Sequence, residues 1–330
     1  MLYVGTIIKG RQTTMKRKIA LLLCAILLFS LVGCGGGESE SKDDATAQEE
    51  TQKDDGKEYD YSGTEVSVMA YNVYYLEADY RYEAIFDIIR DADPDVLFLQ
   101  EVSQMWLPLI KDFMTSDGYT HYGYGRYGSE MYGTQNGNDA YAAILWKTDK
   151  YDVVDQGHFW LSSTPDVSSA TWDDGTVSKF ERCNNWVKLK DKETGKEFMV
   201  SSIHLAPEGG NVRPNSVKFL NEKLPELAGG CPIIIGGDFN MTLSENTYKY
   251  VVEGGFEDVR FSAEETDKRK GTFHNFGEYD GQELFGDYIF VNKQGTNVSF
   301  KTFEILDDIM DDGTHASDHY PIKSVIYLND

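Results

Sequence analysis

Basic residues are scarce in this 330-residue sequence, which has 31 Lys and Arg against 55 Asp and Glu and a formal net charge of −24. The first 37 residues carry five bases and no acid, and residues 38–60 carry ten acids and three bases, so residues 61–330 hold −22 of this charge. Proteins that bind nucleic acid tightly and non-specifically do so by displacing counterions with Lys and Arg. Such binding is therefore not expected here, although weak binding followed by cleavage stays open.

Cysteine is also scarce, with four residues in the whole chain. Cys24 and Cys34 belong to an apolar N-terminal segment, which leaves Cys183 and Cys231 for the rest of the chain. Two cysteines do not make a disulfide scaffold, and their spacing is not that of a zinc site. A Cys183–Cys231 disulfide and two separate buried thiols are both compatible with the sequence.

The N-terminal segment has the pattern of an export signal. Three bases at positions 16–18 precede an apolar run at 19–32 that is too short for an ordinary membrane-spanning helix. The run ends in Leu31-Val32-Gly33-Cys34, which resembles the bacterial lipobox, in which the cysteine is acylated. We therefore predict a signal peptide over 1–34 with Met15 as the start, lipidation at Cys34, and an extracytoplasmic protein anchored to the cell membrane. An uncleaved anchor or an ordinary secretory signal is the alternative.

Composition divides the remaining chain in two. Residues 35–62 are rich in Glu, Asp, Ser, Thr and Gln with almost no apolar side chain, which predicts a disordered acidic linker. From residue 63 to 330 the apolar patterns of a folded domain begin. No sequence feature indicates an obligate protein partner.

Hydrophobic periodicity in this domain predicts many strands and few helices. The expected strands are 66–71, 96–99, 141–146, 152–161, 186–189, 198–203, 232–236, 287–291 and 322–328, and the expected helices are 82–89, 105–113, 216–227 and 245–252. The short continuously apolar strands need cover on both faces. This ratio favours an α/β fold with two packed sheets flanked by helices over one doubly wound sheet.

Polar residues mark the ends of these strands. They are Asn72, Gln100-Glu101, His204, Asp238, Asn240, Asp287 and Asp318-His319. Each of them alone is compatible with a solvated loop, a turn or a helix cap. Together they place carboxylates, amides and histidines at one edge, where a hard divalent cation would neutralise the acids.

In this order, Asn72, Gln100-Glu101, Ser202-Ile203-His204-Leu205, Gly237-Asp238-Phe239-Asn240, Asp287-Tyr288-Ile289 and Ser317-Asp318-His319 resemble the motifs of the endonuclease/exonuclease/phosphatase superfamily. The resemblance covers essentially all of 64–328. It implies a deoxyribonuclease I-like fold, a four-layered α-β-β-α sandwich with the site at one end of its two sheets.

The resemblance also implies a role for each matching residue. Metal binding falls to Glu101, with Asn72 and Asp318 completing the site. Catalysis falls to His204, Asp238, Asn240, Asp287 and His319, with Asp139 as the acidic partner of His204. Substrate phosphate is bound by Arg182 and Asn240. Arg213, by its position after 204–207, either reaches the phosphate or is a solvated residue at a helix start.

The chain is accordingly expected to be a phosphoester hydrolase that uses Mg²⁺, with Mn²⁺ or Ca²⁺ as alternatives. Phosphodiesters, with extracellular nucleic acid slightly preferred, are the first expectation for its substrate. Phosphate monoesters and lipid or inositol phosphates are the second, and a non-catalytic surface-binding lipoprotein is the third. Residues 119–132, rich in Tyr and Gly and containing Arg126, form either a substrate loop or an ordinary surface loop.

Overall fold

The computed structural model describes residues 58–134, 137–269 and 271–329. Within these ranges the chain forms thirteen strands and five helices. The strands are β1 (Thr64–Asn72), β2 (Val96–Ser103), β3 (Tyr119–Tyr122), β4 (Ala140–Lys147), β5 (Tyr151–Trp160), β6 (Cys183–Asp191), β7 (Glu197–His204), β8 (Ile233–Asp238), β9 (Glu257–Asp258), β10 (Glu265–Thr266), β11 (Asp287–Asn292), β12 (Val298–Ile305) and β13 (Ile322–Leu328). The helices are α1 (Ala78–Ala92), α2 (Trp106–Asp117), α3 (Val212–Ala228), α4 (Asn246–Glu253) and α5 (Val259–Ser262).

The strands build two sheets. One has the order β10-β12-β13-β1-β2-β4-β3, and the other has the order β5-β6-β7-β8-β11-β9. Most neighbours are antiparallel, and the parallel pairs are β1 with β2, β7 with β8 and the short β10 with β12. The first two pairs carry polar motifs at their carboxyl ends, and the antiparallel strands β11 and β13 start beside those ends, so the topology brings the motifs to one end of both sheets.

The alternation of apolar residues along β1 shows how the layers are covered. Val66, Val68 and Ala70 face the core shared with the second sheet, whereas Met69 and Tyr71 face the core under α1 and α2. A strand whose both faces are buried needs apolar residues at every position, which is what the sequence has there. Helices α3 and α4 cover the second sheet with Val217, Leu220, Leu224 and Val251. The predicted four-layered α-β-β-α sandwich is confirmed.

The periodic elements lie where the sequence predicts them, with ends shifted by a few residues. Strand β12 was not predicted, because a register shift between Phe300 and Thr302 breaks its alternation. Strand β3 was missed because it is only four residues long and carries polar as well as aromatic side chains. Helix α3 starts four residues before the predicted start and therefore includes Arg213.

The predicted signal peptide, the lipidation site Cys34 and most of the predicted linker lie outside the described residues. Residues 60–62 were assigned to the linker, yet they contact the domain. Asp60 N donates to Ser299 Oγ at 3.0 Å, and the ring of Tyr61 packs on Tyr327 with centroids 4.9 Å apart. Within residues 58–329, apart from the gaps given above, no helix is both long and apolar enough to span a bilayer. Cys183 and Cys231 are both free thiols.

The two sheets approach closely just below the polar end. Gly236 in β8 lies against the ring of Phe98 in β2, and a Cβ at this position would be only 2.4 Å from the ring carbon Cδ2. Glycine is therefore required for the second sheet to pack at this distance.

Replacement Gly236→Ala should lower the free energy of unfolding by about 1–3 kcal/mol, because Phe98 is fully buried and has to move. Urea denaturation measures this difference. Gly209→Ala is the matched control, since a Cβ there meets nothing within 4 Å. Equal stability of the two variants would contradict the close-approach argument.

Candidate active site

Strand register assembles the site. His204 at the end of β7 pairs with Asp238 at the end of β8, and Asp287 at the start of β11 pairs with the same Asp238. On the facing sheet, Asn72 at the end of β1 pairs with Gln100 in β2. The rigid strand ends thus place these side chains close together in space, although they are far apart in the sequence.

Two site residues have backbones in the left-handed region, where side chains other than glycine are uncommon. Glu101 has φ 61°, and it lies where the β2–β4 register shifts between Leu99 and Val102. Asn240 has φ 48°. A bulge of this kind re-aims a side chain that regular pleating would direct elsewhere. In β2 it directs Glu101 toward the site instead of into the sheet.

Asp238 is the centre of the site. One of its oxygens, Oδ1, accepts from the backbone N–H of Asn240 at 2.8 Å, and Oδ2 accepts from the amides of Asn72 and Asn240, both at 3.2 Å. The Nε2 atoms of His204 and His319 lie 3.4 and 3.9 Å from Oδ2. Burial, and then the nearby charge of Asp287, raise the pKa of Asp238 to about 7. A carboxylate with this pKa is poised to accept a proton near neutral pH.

The two histidines beside Asp238 have opposite charge preferences. Burial alone would lower the pKa of His319, but Asp287, whose Oδ2 is 2.8 Å from Nδ1, outweighs it and raises the pKa to about 10. His204 has its pKa lowered well below the usual range by burial, and further by the charges of Arg182 and His319. At neutral pH, His319 is thus a cation and His204 is neutral, so the two rings are suited to different roles in catalysis.

Glu101 and Asp318 form the acidic side of the same cavity. Burial, followed by the charge of Asp318, raises the pKa of Glu101. Its Oε2 accepts from the N–H of Tyr75 at 3.0 Å, and no described lysine or arginine is ion-paired with either carboxylate. Two adjacent carboxylates without a cation fit a hard divalent ion, whose preferred ligands are oxygens. Asp238, Asp287 and His319 also bring one ligand atom each within 4.8 Å of one another.

The position of Arg182 is compatible with the phosphate-binding role expected from the sequence. Arg182 lines the same cavity as His204, Asn240 and His319, and its Nε has no hydrogen-bond partner among the described residues. Burial lowers its pKa, which the charge of Asp238 partly offsets. A half-buried guanidinium whose buried Nε is an unused donor is suited to an incoming oxyanion.

The proposed role of Asp139 is not supported by its position. Its carboxylate accepts the N–H groups of Tyr127, Ser129 and Ala140 at 2.9–3.1 Å and makes no hydrogen bond to His204. Asp139 therefore orders the loop before β4. The carboxylate nearest to His204 is Asp238, which its strand partner supplies.

Arg213 is likewise committed elsewhere. Its Nη1 donates to three consecutive carbonyl oxygens, those of residues 206–208, at 3.1, 2.9 and 2.9 Å. Its Nη2 is 2.6 Å from Glu245 Oε2. Arg213 does not line the site cavity. Of the two alternatives left by the sequence neither holds, since the residue is buried and fixes the loop that follows His204.

A second polar cluster supports the segment 317–319 from behind. Asp308, which is fully buried, accepts from Ser317 N at 3.1 Å, and its Oδ1 is 2.6 Å from His315 Nδ1. His274 Nε2 lies 3.4 Å from Oδ2, while His274 Nδ1 accepts from Gly277 N–H. Because Nδ1 accepts this hydrogen bond, the ring proton is on Nε2, and Nε2 has no lone pair for a metal ion shared with Asp308. The cluster is a hydrogen-bonded support of the loop that carries Asp318 and His319.

The cavity, of about 440 Å³, also contains residues that were not predicted as site residues. Those on strands β4 and β6 are Ala140, Tyr141, Ala142 and Cys183, and those on loops are Tyr75, Arg126, Lys179, Phe180, Glu181, Pro207 and Phe273. On the loops neither periodicity nor a strand end indicates position. Among these loop residues, only Arg126 had a signal in the sequence, because it lies in the Tyr- and Gly-rich stretch 119–132.

Comparisons with known proteins agree with this geometry. The model of the Endonuclease/Exonuclease/phosphatase family matches residues 69–319, which include every strand-end motif of the site. A crystal structure of a protein of this family from Bacteroides thetaiotaomicron is 29% identical, with a TM-score of 0.70, and the match covers 82% of this chain and 100% of that one. No curated protein sequence matches the chain.

Two further structures are similar. A mannosyl-6-phosphatase from Bacteroides thetaiotaomicron is 29% identical, with a TM-score of 0.69 over 80% of this chain and 100% of its own. The catalytic domain of human Nocturnin is 19% identical, with a TM-score of 0.63 over 82% of this chain and 98% of its own, which shows a shared fold.

Replacement Asp287→Asn should move the basic limb of the pH profile of kcat/KM to lower pH. Asp287 stabilises the protonated form of His319, so without this charge burial dominates, the pKa of His319 falls and the cation is lost at lower pH. Turnover at pH 8 should drop by about 10²-fold or more. Profiles between pH 5 and 10 test this, with the exposed Asp149→Asn as control. A basic limb at the wild-type position would refute the role of Asp287.

Replacement Glu101→Gln should raise the concentration of divalent cation needed for half-maximal activity by at least about tenfold, because it removes one negative ligand. Titration of Mg²⁺ and Mn²⁺ into metal-free protein measures this requirement. Glu193→Gln, on an exposed turn, changes the net charge equally and serves as the control. If both variants needed the same metal concentration, Glu101 would not be a ligand.

Proposed function

Since the chain belongs to the Endonuclease/Exonuclease/phosphatase family and is a phosphoester hydrolase, we propose that its substrates are phosphate monoesters of small polar molecules, hydrolysed with Mg²⁺. The observation that carries this proposal is the cavity. The carboxylates Glu101 and Asp318, which would hold a divalent cation, line the same cavity as the guanidinium of Arg182 and the ring of His319. A terminal phosphate carries two negative charges, one more than a diester, and such a site would offer a metal ion and two cationic donors for them.

Size and charge support a small substrate over a polymer. A cavity of about 440 Å³ is in the range of sites for small molecules. The strongly negative net charge of the chain opposes the approach of a polyanion. The similarity to a mannosyl-6-phosphatase supports the same substrate class. Nucleic acid, which the sequence slightly favoured, is therefore the second candidate.

The residues of the chain divide the reaction among them. Asp238 accepts a proton from the attacking water as the new oxygen–phosphorus bond forms and the bond to the ester oxygen breaks, and the departing ester oxygen takes up a proton from solvent water. His319, held as a cation by Asp287, donates to an oxygen of the phosphate. Arg182 donates to another phosphate oxygen, and His204 stays neutral beside it. A bound divalent cation would act as a Lewis acid on the phosphate.

Hydrolysis of p-nitrophenyl phosphate and of bis(p-nitrophenyl) phosphate by the purified protein tests the proposal, with Mg²⁺, Mn²⁺, Ca²⁺ or EDTA. We expect metal-dependent turnover that favours the monoester and falls by at least about 10²-fold in Asp238→Asn. A preference for the diester would support nucleic acid or another phosphodiester. Absence of turnover on both compounds and on sugar phosphates would overturn the proposed activity.

A further inference from the structure

The cationic wall of the cavity consists of Arg126, Lys179 and Arg182, and it is unusual in so acidic a protein. Arg126 lies in the loop before β4, and the other two lie in the segment before β6. The guanidinium of Arg126 lies over the ring of Phe180 at 4.7 Å, and the ammonium of Lys179 lies over the same ring at 5.1 Å. The two cations thus both contact one aromatic ring at the cavity.

None of these three cations is in an ion pair among the described residues, although the chain has a large excess of carboxylates. The one hydrogen bond of the Arg126 guanidinium is donated to the carbonyl of Asn138 at 3.1 Å, and its Nε is buried without a partner. The charges of Arg126 and Arg182 are close enough to oppose each other. Carboxylates are near, since Asp238, Glu101 and Glu208 favour the charged form of Arg182 and Glu181 also lines the cavity, but none of them is ion-paired with Arg126 or Lys179 among the described residues. Like charges held close together cost free energy, which an anion bound between them would offset.

The backbone of Arg126 is held in place. Its carbonyl oxygen accepts from Trp160 Nε1 and from Ser168 Oγ, both at 2.8 Å. The carboxylate of Asp139 orders the following residues through the N–H groups of Tyr127 and Ser129. It also packs on Gly125, where a Cβ would be 2.2 Å from it. The loop therefore presents Arg126 with little freedom, as a binding residue requires.

The three cations differ in depth. Arg182 is beside the catalytic group, as its charge interactions with Asp238 and Glu101 show. Arg126 is partly exposed, and Lys179 is exposed. In the proposed reaction the scissile phosphate is already bound by Arg182, Asn240 and His319, together with the metal ion that Glu101 and Asp318 would hold. Arg126 and Lys179 therefore lie toward the part of the substrate that extends from the reacting phosphate to solvent.

We propose that Arg126 and Lys179, which both lie over the ring of Phe180, form a second anion subsite, and that the substrate is a small molecule with another anionic group besides the scissile phosphate. This inference rests on the proposed function and narrows its substrate class. A second phosphate and a carboxylate share the required chemistry, because both accept charge-assisted hydrogen bonds from guanidinium and ammonium groups.

Matched substrates test the subsite in the wild-type protein. Glucose 6-phosphate has one anionic group, glucose 1,6-bisphosphate has a second phosphate, and 6-phosphogluconate has a carboxylate. We expect kcat/KM for phosphate release to be at least about tenfold higher for one of the two doubly anionic compounds, mainly through a lower KM. Preference for the bisphosphate identifies phosphate as the second group, and preference for 6-phosphogluconate identifies a carboxylate.

Two variants assign this preference to its residues. Arg126→Gln and Lys179→Gln should each reduce the ratio of kcat/KM between the preferred compound and glucose 6-phosphate, with the double variant close to a ratio of one. Lys111→Gln makes the same change in net charge at a lysine that lies over Tyr132 outside the cavity, and it should leave the ratio at the wild-type value. An equal fractional loss on all three compounds would place both cations on the scissile phosphate and overturn the subsite.

A binding measurement separates this inference from the proposed activity. In EDTA, glucose 1,6-bisphosphate should raise the Tm of the wild-type protein more than glucose 6-phosphate does. This difference should be lost in the double variant with Arg126→Gln and Lys179→Gln. If no phosphate ester were hydrolysed but this difference remained, the proposed activity would fail and the subsite would stand. If glucose 6-phosphate were hydrolysed as well as the doubly anionic compounds, with equal Tm shifts, the activity would stand and the subsite would fail.

Discussion

The accumulation of buried acids at one end of two packed sheets is the constraint on which the rest of the site depends. Asp238 and Asp287 are register partners and are almost fully buried, and the charge of Asp287 adds to burial in raising the pKa of Asp238. The protein answers this with His319, which lies against both carboxylates and is held as a cation. No described lysine or arginine is ion-paired with Glu101 or Asp318, so a divalent cation would complete the charge balance there.

Much of the chain around the site serves to hold these groups in place. Asp308 binds the N–H of Ser317, and Ser317 Oγ donates to the carbonyl of Asn72 at 2.6 Å, so the loop before β13 is tied to the end of β1. The carbonyl of Asp318 accepts the N–H groups of His274 and Asn275, both at 3.0 Å. Arg213 fixes the loop after His204 in the same manner. Buried polar networks of this kind rigidify a site, which catalysis by oriented charges requires.

The sequence predicted the layers of the fold and most members of the site for one physical reason. Both were encoded in strands, whose apolar runs reveal their burial and whose ends lie together whenever the strands share a sheet edge. Asn72, Glu101, His204, Asp238 and Asp287 are all of this kind. Asp139 and Arg213 were misassigned because they lie at a loop end and in the first turn of a helix, where the direction of a side chain depends on tertiary hydrogen bonds. Arg126, Lys179 and Phe180 had no periodic signal, because their proximity arises from two separate loops.

The distribution of charge also bears on how the enzyme selects its substrate. An acidic surface repels every phosphorylated compound at long range, and the repulsion grows with the number of phosphates. Salt screens this repulsion over about 8 Å, so it matters most for extended polyanions whose charges remain outside the cavity. Under the proposed function, a compact anion that fits inside would exchange the outer repulsion for the local attraction of Arg126, Lys179 and Arg182. Repulsion outside and attraction inside would then act together to disfavour polymers and to favour small anionic substrates.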